Sequence, residues 1–210
     1  MNSVKLTEIM RTFCIIALKL TYLNILWFLF TMLGFVLFGL GPATAALCKI
    51  QDRWLKNENV YSIFLDFWKE YKSNFLKVNI LTIILIGIGA IIYFDLQFFM
   101  EKEGLLYRSI SILIFIFSIW YIMVVLYVFP VYTHYQAKLF TTIRYAFIVA
   151  MLNPFKTIGM AVAAGGMLYL SLNFSQIMFS IGISLTFFII MIMATHAFDQ
   201  ISVLKARYSN

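Results

Sequence analysis

Long uncharged apolar runs separated by short clusters of charge set the rhythm of this chain. No Asp, Glu, Lys or Arg occurs from Leu20 to Cys48, from Val78 to Phe94, from Ser109 to Ala137, or from Thr157 to Phe198. Runs of this length exceed what a soluble helix buries and match the ~20 residues that carry a helix across a ~30 Å hydrocarbon core. The pattern predicts an all-α fold: a polytopic membrane helical bundle of about five transmembrane helices in one membrane domain, residues 1–210. The spans fall at about 20–40, 78–94, 109–130, 157–172 and 177–198. The last two come from one charge-free run of 42 residues, which as a single helix would be about 63 Å long, twice the bilayer core. It must turn, and Asn173-Phe174-Ser175-Gln176 is the polar place to do so.

The breaks between runs carry as much information as the runs. Gly39, Gly41 and Pro42 follow the first span, where glycines loosen a helix and proline removes a donor, so span one is predicted to end there. From Ala43 to Leu55 apolar Leu47, Ile50 and Trp54 alternate with Lys49, Asp52 and Arg53 at helical spacing. This reads as an amphipathic helix on the membrane surface with Trp54 at the headgroup level. Residues 61–77 and 139–152 read as two further interfacial helices, and the third span is expected to continue as helix past Pro130. Ala43-Thr44-Ala45 has the small-residue form of a signal-peptidase site. The uncharged run around it is 29 residues, against roughly 7–15 for a signal peptide's apolar region, so a retained span is predicted.

Composition agrees with lipid as the solvent: 63% of residues are hydrophobic and 12% charged, against roughly 45–50% and 25% in soluble domains. The net charge of +7 does not point to nucleic acid, because the basic residues lie between the spans, where they meet anionic headgroups and set orientation. With five spans, eleven basic residues fall on one side and five on the other. The larger set is Lys49, Arg53, Lys56, Lys69, Lys72, Lys77, Lys138, Arg144, Lys156, Lys205 and Arg207; the smaller is Lys5, Arg11, Lys19, Lys102 and Arg108. The positive-inside rule then predicts an outside N-terminus and a cytoplasmic C-terminus. A cytoplasmic N-terminus would require an even number of passes, with residues 139–152 or the N-terminal stretch dipping into the bilayer. Cys14 and Cys48 flank the first run and, with the intervening chain helical, would lie about 50 Å apart, beyond disulfide reach.

Within the membrane, small residues mark packing faces: Gly87 and Gly89 on span two, Gly159/Ala163 and Ala161/Gly165 on span four, Ser180/Ser184 and Gly182/Thr186 on span five. Thr21, Asn24, Thr31 and Gly34 share a face of span one and read as an interhelical hydrogen-bond stripe. The ionisable candidates are Asp95, His134, His196 and Asp199, all near span ends, with His196 and Asp199 three apart and able to pair. No nucleophile elbow, phosphate loop, paired acids or metal-ligand spacing occurs, so no catalytic, cofactor or metal site is expected and the chain is not read as an enzyme.

The run Tyr22-Leu23-Asn24-Ile25-Leu26-Trp27 with Gly34, then Phe38-Gly39-Leu40-Gly41-Pro42-Ala43-Thr44-Ala45-Ala46-Leu47, resembles the YesL family of bacterial membrane proteins. Phe67–Lys77, Phe129-Pro130 with Tyr135, and Asn153-Pro154 extend the likeness, and Gly-Pro-Ala-Thr-Ala is its distinctive part. The resemblance implies a bacterial plasma membrane and a setting beside sugar-uptake systems and carbohydrate-degrading enzymes. It carries no catalytic residue. Two expectations follow: a non-enzymatic accessory protein associated with a sugar transporter or membrane sensor, or a small solute transporter or lipid-binding protein using a pocket beneath the Gly39–Pro42 break.

Overall fold

A computed structural model describes residues 2–58 and 60–208, and the side chains of residues 7–58 and 60–202. The side chains of Lys5, Lys205 and Arg207, counted in the orientation argument, lie outside the described residues. The helices are α1 (Asn2–Leu33), α2 (Leu37–Leu55), α3 (Ile63–Ser73), α4 (Phe75–Met100), α5 (Leu105–Tyr135), α6 (Leu139–Leu152), α7 (Pro154–Asn173), the single turn α8 (Ser175–Ile177) and α9 (Ile183–Tyr208). A π-helical segment, Met178–Gly182, joins α8 to α9. Five stretches are long and apolar enough to cross a bilayer: Thr7–Leu33, Phe75–Met100, Leu105–Tyr135, Pro154–Asn173 and Ser175–Ser202. The helical membrane bundle with five such spans is therefore as the apolar runs predict. The turn between the last two falls at Phe174, inside the predicted polar tetrad.

The first break is not where the glycines and proline suggested. The chain reverses at Gly34-Phe35-Val36, and Gly39, Gly41 and Pro42 lie inside α2. The reason is close packing. A Cβ at Gly34 would meet the backbone of Gly39, and one at Gly39 would meet the backbone of Thr31. The glycines thus serve the contact between two antiparallel helices, and Pro42 costs α2 only the bond its N–H would have made near the helix start. Trp27 Nε1 donates to Thr44 Oγ1 at 3.0 Å and Lys19 Nζ stands 5.6 Å from the Trp54 ring centre, which fixes the antiparallel register down the hairpin.

The predicted surface helix 43–55 is likewise corrected. Twelve residues of α2 between Gly39 and Asp52 are buried, and α2 packs against α1, α3, α4, α5 and α9. Its small residues (Gly41, Ala43, Thr44, Ala45, Ala46) allow this central position, since van der Waals approach is what holds helices together in lipid. Neither cysteine forms a disulfide, although the reversal voids the argument from a continuous helix. In the hairpin register Cys48 sits opposite about residue 24, some ten residues or ~15 Å from Cys14.

Because α2 returns alongside α1, the two legs of this hairpin begin and end toward the same end of the bundle. α4 runs antiparallel to α2, with Gly41 against Thr82 and Lys49 sharing a cavity with Asn74 and Lys77. α5 runs back antiparallel to α4, as Tyr132 Oη bonds Asn74 Oδ1 at one end and Tyr121 Oη bonds the Leu85 carbonyl further along. α1 and α9 are antiparallel too, since Leu20 meets Ser184 and Asn24 meets Met178. The start of α1 and the end of α9 therefore lie at the same end of the bundle, where the five-span reading placed them on opposite sides. The change of side comes from the return of α2, not from residues 139–152 or the N-terminal stretch.

α5 runs unbroken through Pro130. The stretch predicted at 61–77 is two helices, α3 capped by Ser62 and the start of α4 after Asn74. α6 occupies the predicted 139–152 and packs along α5, with Ala146, Val149 and Ala150 buried. Asn153 closes α6 and Pro154 opens α7, the position where proline's missing N–H costs nothing. Among the small residues, Gly89 packs on Tyr121 and Gly159 on Met193, while a Cβ at Gly87, Gly165 or Gly166 would meet nothing within 4 Å. Those three do not serve packing inside this chain.

Candidate functional site

Two features converge on the α1–α2 hairpin. The first is a polar knot at the end of α2, where it meets the end of α5. Asp52, in the last turn of α2, is wholly buried. Its Oδ2 accepts from Lys56 Nζ at 2.8 Å and lies 3.7 Å from Lys49 Nζ, and its Oδ1 is 3.2 Å from Nδ1 of His134 on α5. An ionised carboxylate only accepts, so the hydrogen between Asp52 and His134 sits on Nδ1. Burial alone would push the Asp52 carboxyl up. The hydrogen bonds from His134 and Lys56, with their charges, outweigh it and hold the group below its ordinary value. Lys49 also donates to the Thr133 carbonyl at 3.0 Å. Arg53 spans Glu58, Asp66 and Glu70 at 3.4–3.8 Å, tying α2 to α3. A polar cavity of about 300 Å³ opens beside this network, lined by Lys49, Glu70, Asn74, Lys77, Tyr132 and Gln136.

The second feature lies deeper. Asn24 Nδ2 donates to the carbonyls of Met178 and Phe179 at 3.0 and 2.8 Å, and its Oδ1 accepts from the Ser184 N–H at 3.0 Å. A π-helical turn misaligns carbonyls that an α-helix would occupy, and in lipid such groups need a protein partner. Asn24 supplies it. Gln51 Nε2 bonds the Ser184 carbonyl at 2.7 Å, and Ser184 Oγ bonds the Leu20 carbonyl at 2.7 Å, so α1, α2 and α9 meet at one residue. Beside this junction lies an apolar cavity of about 380 Å³ among Trp27, Leu40, Thr44, Phe129, Gly182 and Phe187. It lies next to the Gly39–Pro42 segment, where a pocket was expected.

The other sequence candidates are placed as follows. Ala43 is fully buried, and Trp54 lies under Lys19. Pro130 sits inside α5, where the Thr133 hydroxyl bonds the carbonyls of Phe129 and Pro130. Asn153 bonds the Val149 carbonyl, and its own carbonyl accepts from Thr157 Oγ1. His196 and Asp199 do not pair. His196 Nδ1 lies 2.7 Å from the Ile192 carbonyl of its own helix, and Lys156 takes the His196 carbonyl and Gln200. Asp95 is exposed on the last turns of α4. The sequence reads Ser184 only as a packing residue and Asp52 only as part of a polar helix face, and it does not single out Gln51. A signal existed, since the small-residue run ahead of Gln51-Asp52 is unlike a surface helix. Thr31 Oγ1, Thr82 Oγ1 and the Asn79 amide are buried without a protein hydrogen-bond partner. Among the described residues no group of His, Cys, Asp and Glu is placed to hold a metal.

Long apolar helices, a buried polar hairpin and charge gathered at the ends define a polytopic α-helical membrane protein. A family model described as "Protein of unknown function, DUF624" matches residues 20–96, which span the α1–α2 hairpin, α3 and most of α4. The chain is 34% identical over 164 residues to "Uncharacterized protein YesV" of Bacillus subtilis (strain 168), covering 78% of this chain and 79% of that one. It is 32% identical over 160 residues to "Uncharacterized protein YesL" of the same organism, covering 76% and 75%. The chain belongs to this YesL-like family of uncharacterised proteins. No solved structure matches it.

Proposed function

We propose that the protein is a non-enzymatic binding component of the bacterial plasma membrane that holds one apolar chain of a lipid in the cavity beside Trp27, Thr44 and Gly182. The observation that carries this reading is the coincidence of that cavity with the π segment. π turns recur at functional sites because they shift side chains that regular helix would direct elsewhere. Here Asn24 holds the shifted carbonyls, and Gly182 lets the turn pack closely on the Ile177 carbonyl and Ser171. The lining is apolar apart from Thr44, Ser171 and Thr186, which fits a hydrocarbon chain and not a sugar. A photoactivatable phospholipid carrying its reactive group in the acyl chain tests the reading. Crosslinking should map to α5 and α9, and Ala164→Trp, which fills the cavity, should abolish it in protein that still elutes as the parent does. Equal crosslinking in Ala164→Trp would overturn the reading.

A second reading concerns partners. Lys69, Lys72 and Lys77 are exposed on α3 and the start of α4, at the end where all described basic residues except Lys102 and Arg108 gather. The positive-inside rule supports assigning that end, with the start of α1 and the end of α9, to the cytoplasm. The family setting supports a sugar transporter or membrane sensor as the partner docked there. Affinity purification from native membranes in mild detergent tests this, and recovery of the protein alone counts against it.

A further inference from the structure

We infer that the α1–α2 hairpin is a re-entrant wedge whose tip, Gly34–Phe38, stays in the hydrocarbon of the leaflet opposite the charged end, with acyl chains as its contact. This stands independently of the cavity reading. Three observations carry it. The tip has no polar side chain from Met32 to Gly41, yet Met32, Leu33, Phe35, Leu37 and Phe38 are exposed, Phe35 to 87%. A loop meeting water or headgroups has no reason to combine that composition with that exposure, and a membrane-embedded one does.

The backbone of the tip is closed on itself. All seven N–H groups from Gly34 to Leu40 donate within it: Gly34 to Phe30, Phe35 to Met32, Val36 to Thr31, Leu37 to Phe35, Phe38 to Gly34, and both Gly39 and Leu40 to Val36, at 2.8–3.2 Å. Irregular backbone in water leaves such donors to solvent, whereas lipid offers none. Closure demands an unusual conformation. Phe35 and Val36 hold φ of 53° and 64°, and Val36, with ψ of −65°, makes a γ-turn that closes Leu37 N–H on the Phe35 carbonyl. A β-branched residue in that region is strained, and a partner for every N–H of the tip is what the strain secures.

Depth agrees. Gly41 lies against Thr82, and continuing that antiparallel register brings Val36 level with Gly87, eight residues or about 12 Å short of Asp95. The tip therefore ends below the charged far end of α4.

The test is a cysteine scan in membrane vesicles on a Cys14→Ser background, with Cys48 left in its buried position. Phe35→Cys is compared with Glu103→Cys at the far end and Lys72→Cys at the near end, all exposed positions whose replacement leaves the core intact. An impermeant maleimide should label Glu103→Cys and Lys72→Cys from opposite sides and Phe35→Cys at under one-tenth of either rate from both. A nitroxide on Phe35→Cys should be relaxed by oxygen and not by a water-soluble nickel chelate. Labelling of Phe35→Cys at the rate of Glu103→Cys overturns the inference. So does a nitroxide relaxed by the nickel chelate, or one reached by neither agent, which would place the tip in water or inside protein.

Discussion

The Asn24 amide oxygen on α1 accepts the Ser184 N–H at 3.0 Å across 160 residues of sequence, while its nitrogen serves two carbonyls of the π segment. One side chain thereby supplies three bonds to a distorted stretch of the last span. Asn24→Leu, which keeps the branched heavy-atom outline and removes the bonds, should cost about 2–3 kcal/mol. Ser184→Ala removes only a hydroxyl and should cost under about 1 kcal/mol. Detergent-titrated unfolding of the two variants measures the difference, and equal losses would show that Asn24 does not act through the π segment.

Asp52 makes stability depend on acidity in a defined direction. Its folded pKa is held below the ordinary carboxylate value, mainly by hydrogen bonds from His134 and Lys56 acting against burial. A group depressed on folding stabilises the protein above its unfolded pKa, and the contribution fades as pH falls through the lower folded value. Between about pH 7 and 5 the contribution should be constant, and it should decline below about pH 4. Asp52→Asn should lower the melting temperature at neutral pH by the equivalent of about 2–4 kcal/mol and flatten this acid limb. A variant with an unchanged acid limb would contradict the assignment.

Glycine substitutions should divide sharply. Gly39→Ala sets a methyl against the Thr31 backbone, which has no rotamer to change, so monodisperse protein should not be recovered. Gly41→Leu should also fail, against Thr82 and Val78. Gly87→Ala and Gly165→Ala meet nothing and should be neutral or stabilising by up to about 1 kcal/mol through helix propensity. Size-exclusion profiles and melting curves of the four variants decide it.

The partnerless hydroxyls give a prediction of opposite sign to most mutations. Thr82→Val removes a buried oxygen that bonds nothing in the protein and should raise stability by about 1 kcal/mol. A loss instead would identify a bound water or ligand as its partner.

Span number was legible because hydrophobic length is a one-dimensional property. The turn at Phe174 was legible too, because a charge-free run twice the membrane thickness has to fold back. The α1–α2 reversal was not. Gly39, Gly41 and Pro42 are the residues that end helices, but here Gly39 and Gly41 permit helix contact, a role that depends on Thr31 and Thr82 being opposite. The turn itself uses Phe35 and Val36, which no propensity assigns to left-handed backbone. Asp52 and Gln51 read as a polar helix face because their partners, His134 and Ser184, are far away in sequence. His196 and Asp199 share a helical face by spacing, yet the His196 ring turns to the Ile192 carbonyl of its own helix.

The central position of α2 bears on how the chain is made. Gln51 and Asp52 emerge from the ribosome long before Ser184 and His134, the residues that satisfy them. Until then α2, with Lys49, Asp52, Arg53 and Lys56 in its second half and just beyond, is a poor substrate for partition into lipid on its own. Insertion of α1 and α2 as a joined pair, with the charged end waiting at the membrane surface for the later spans, is the order of assembly that this hairpin favours.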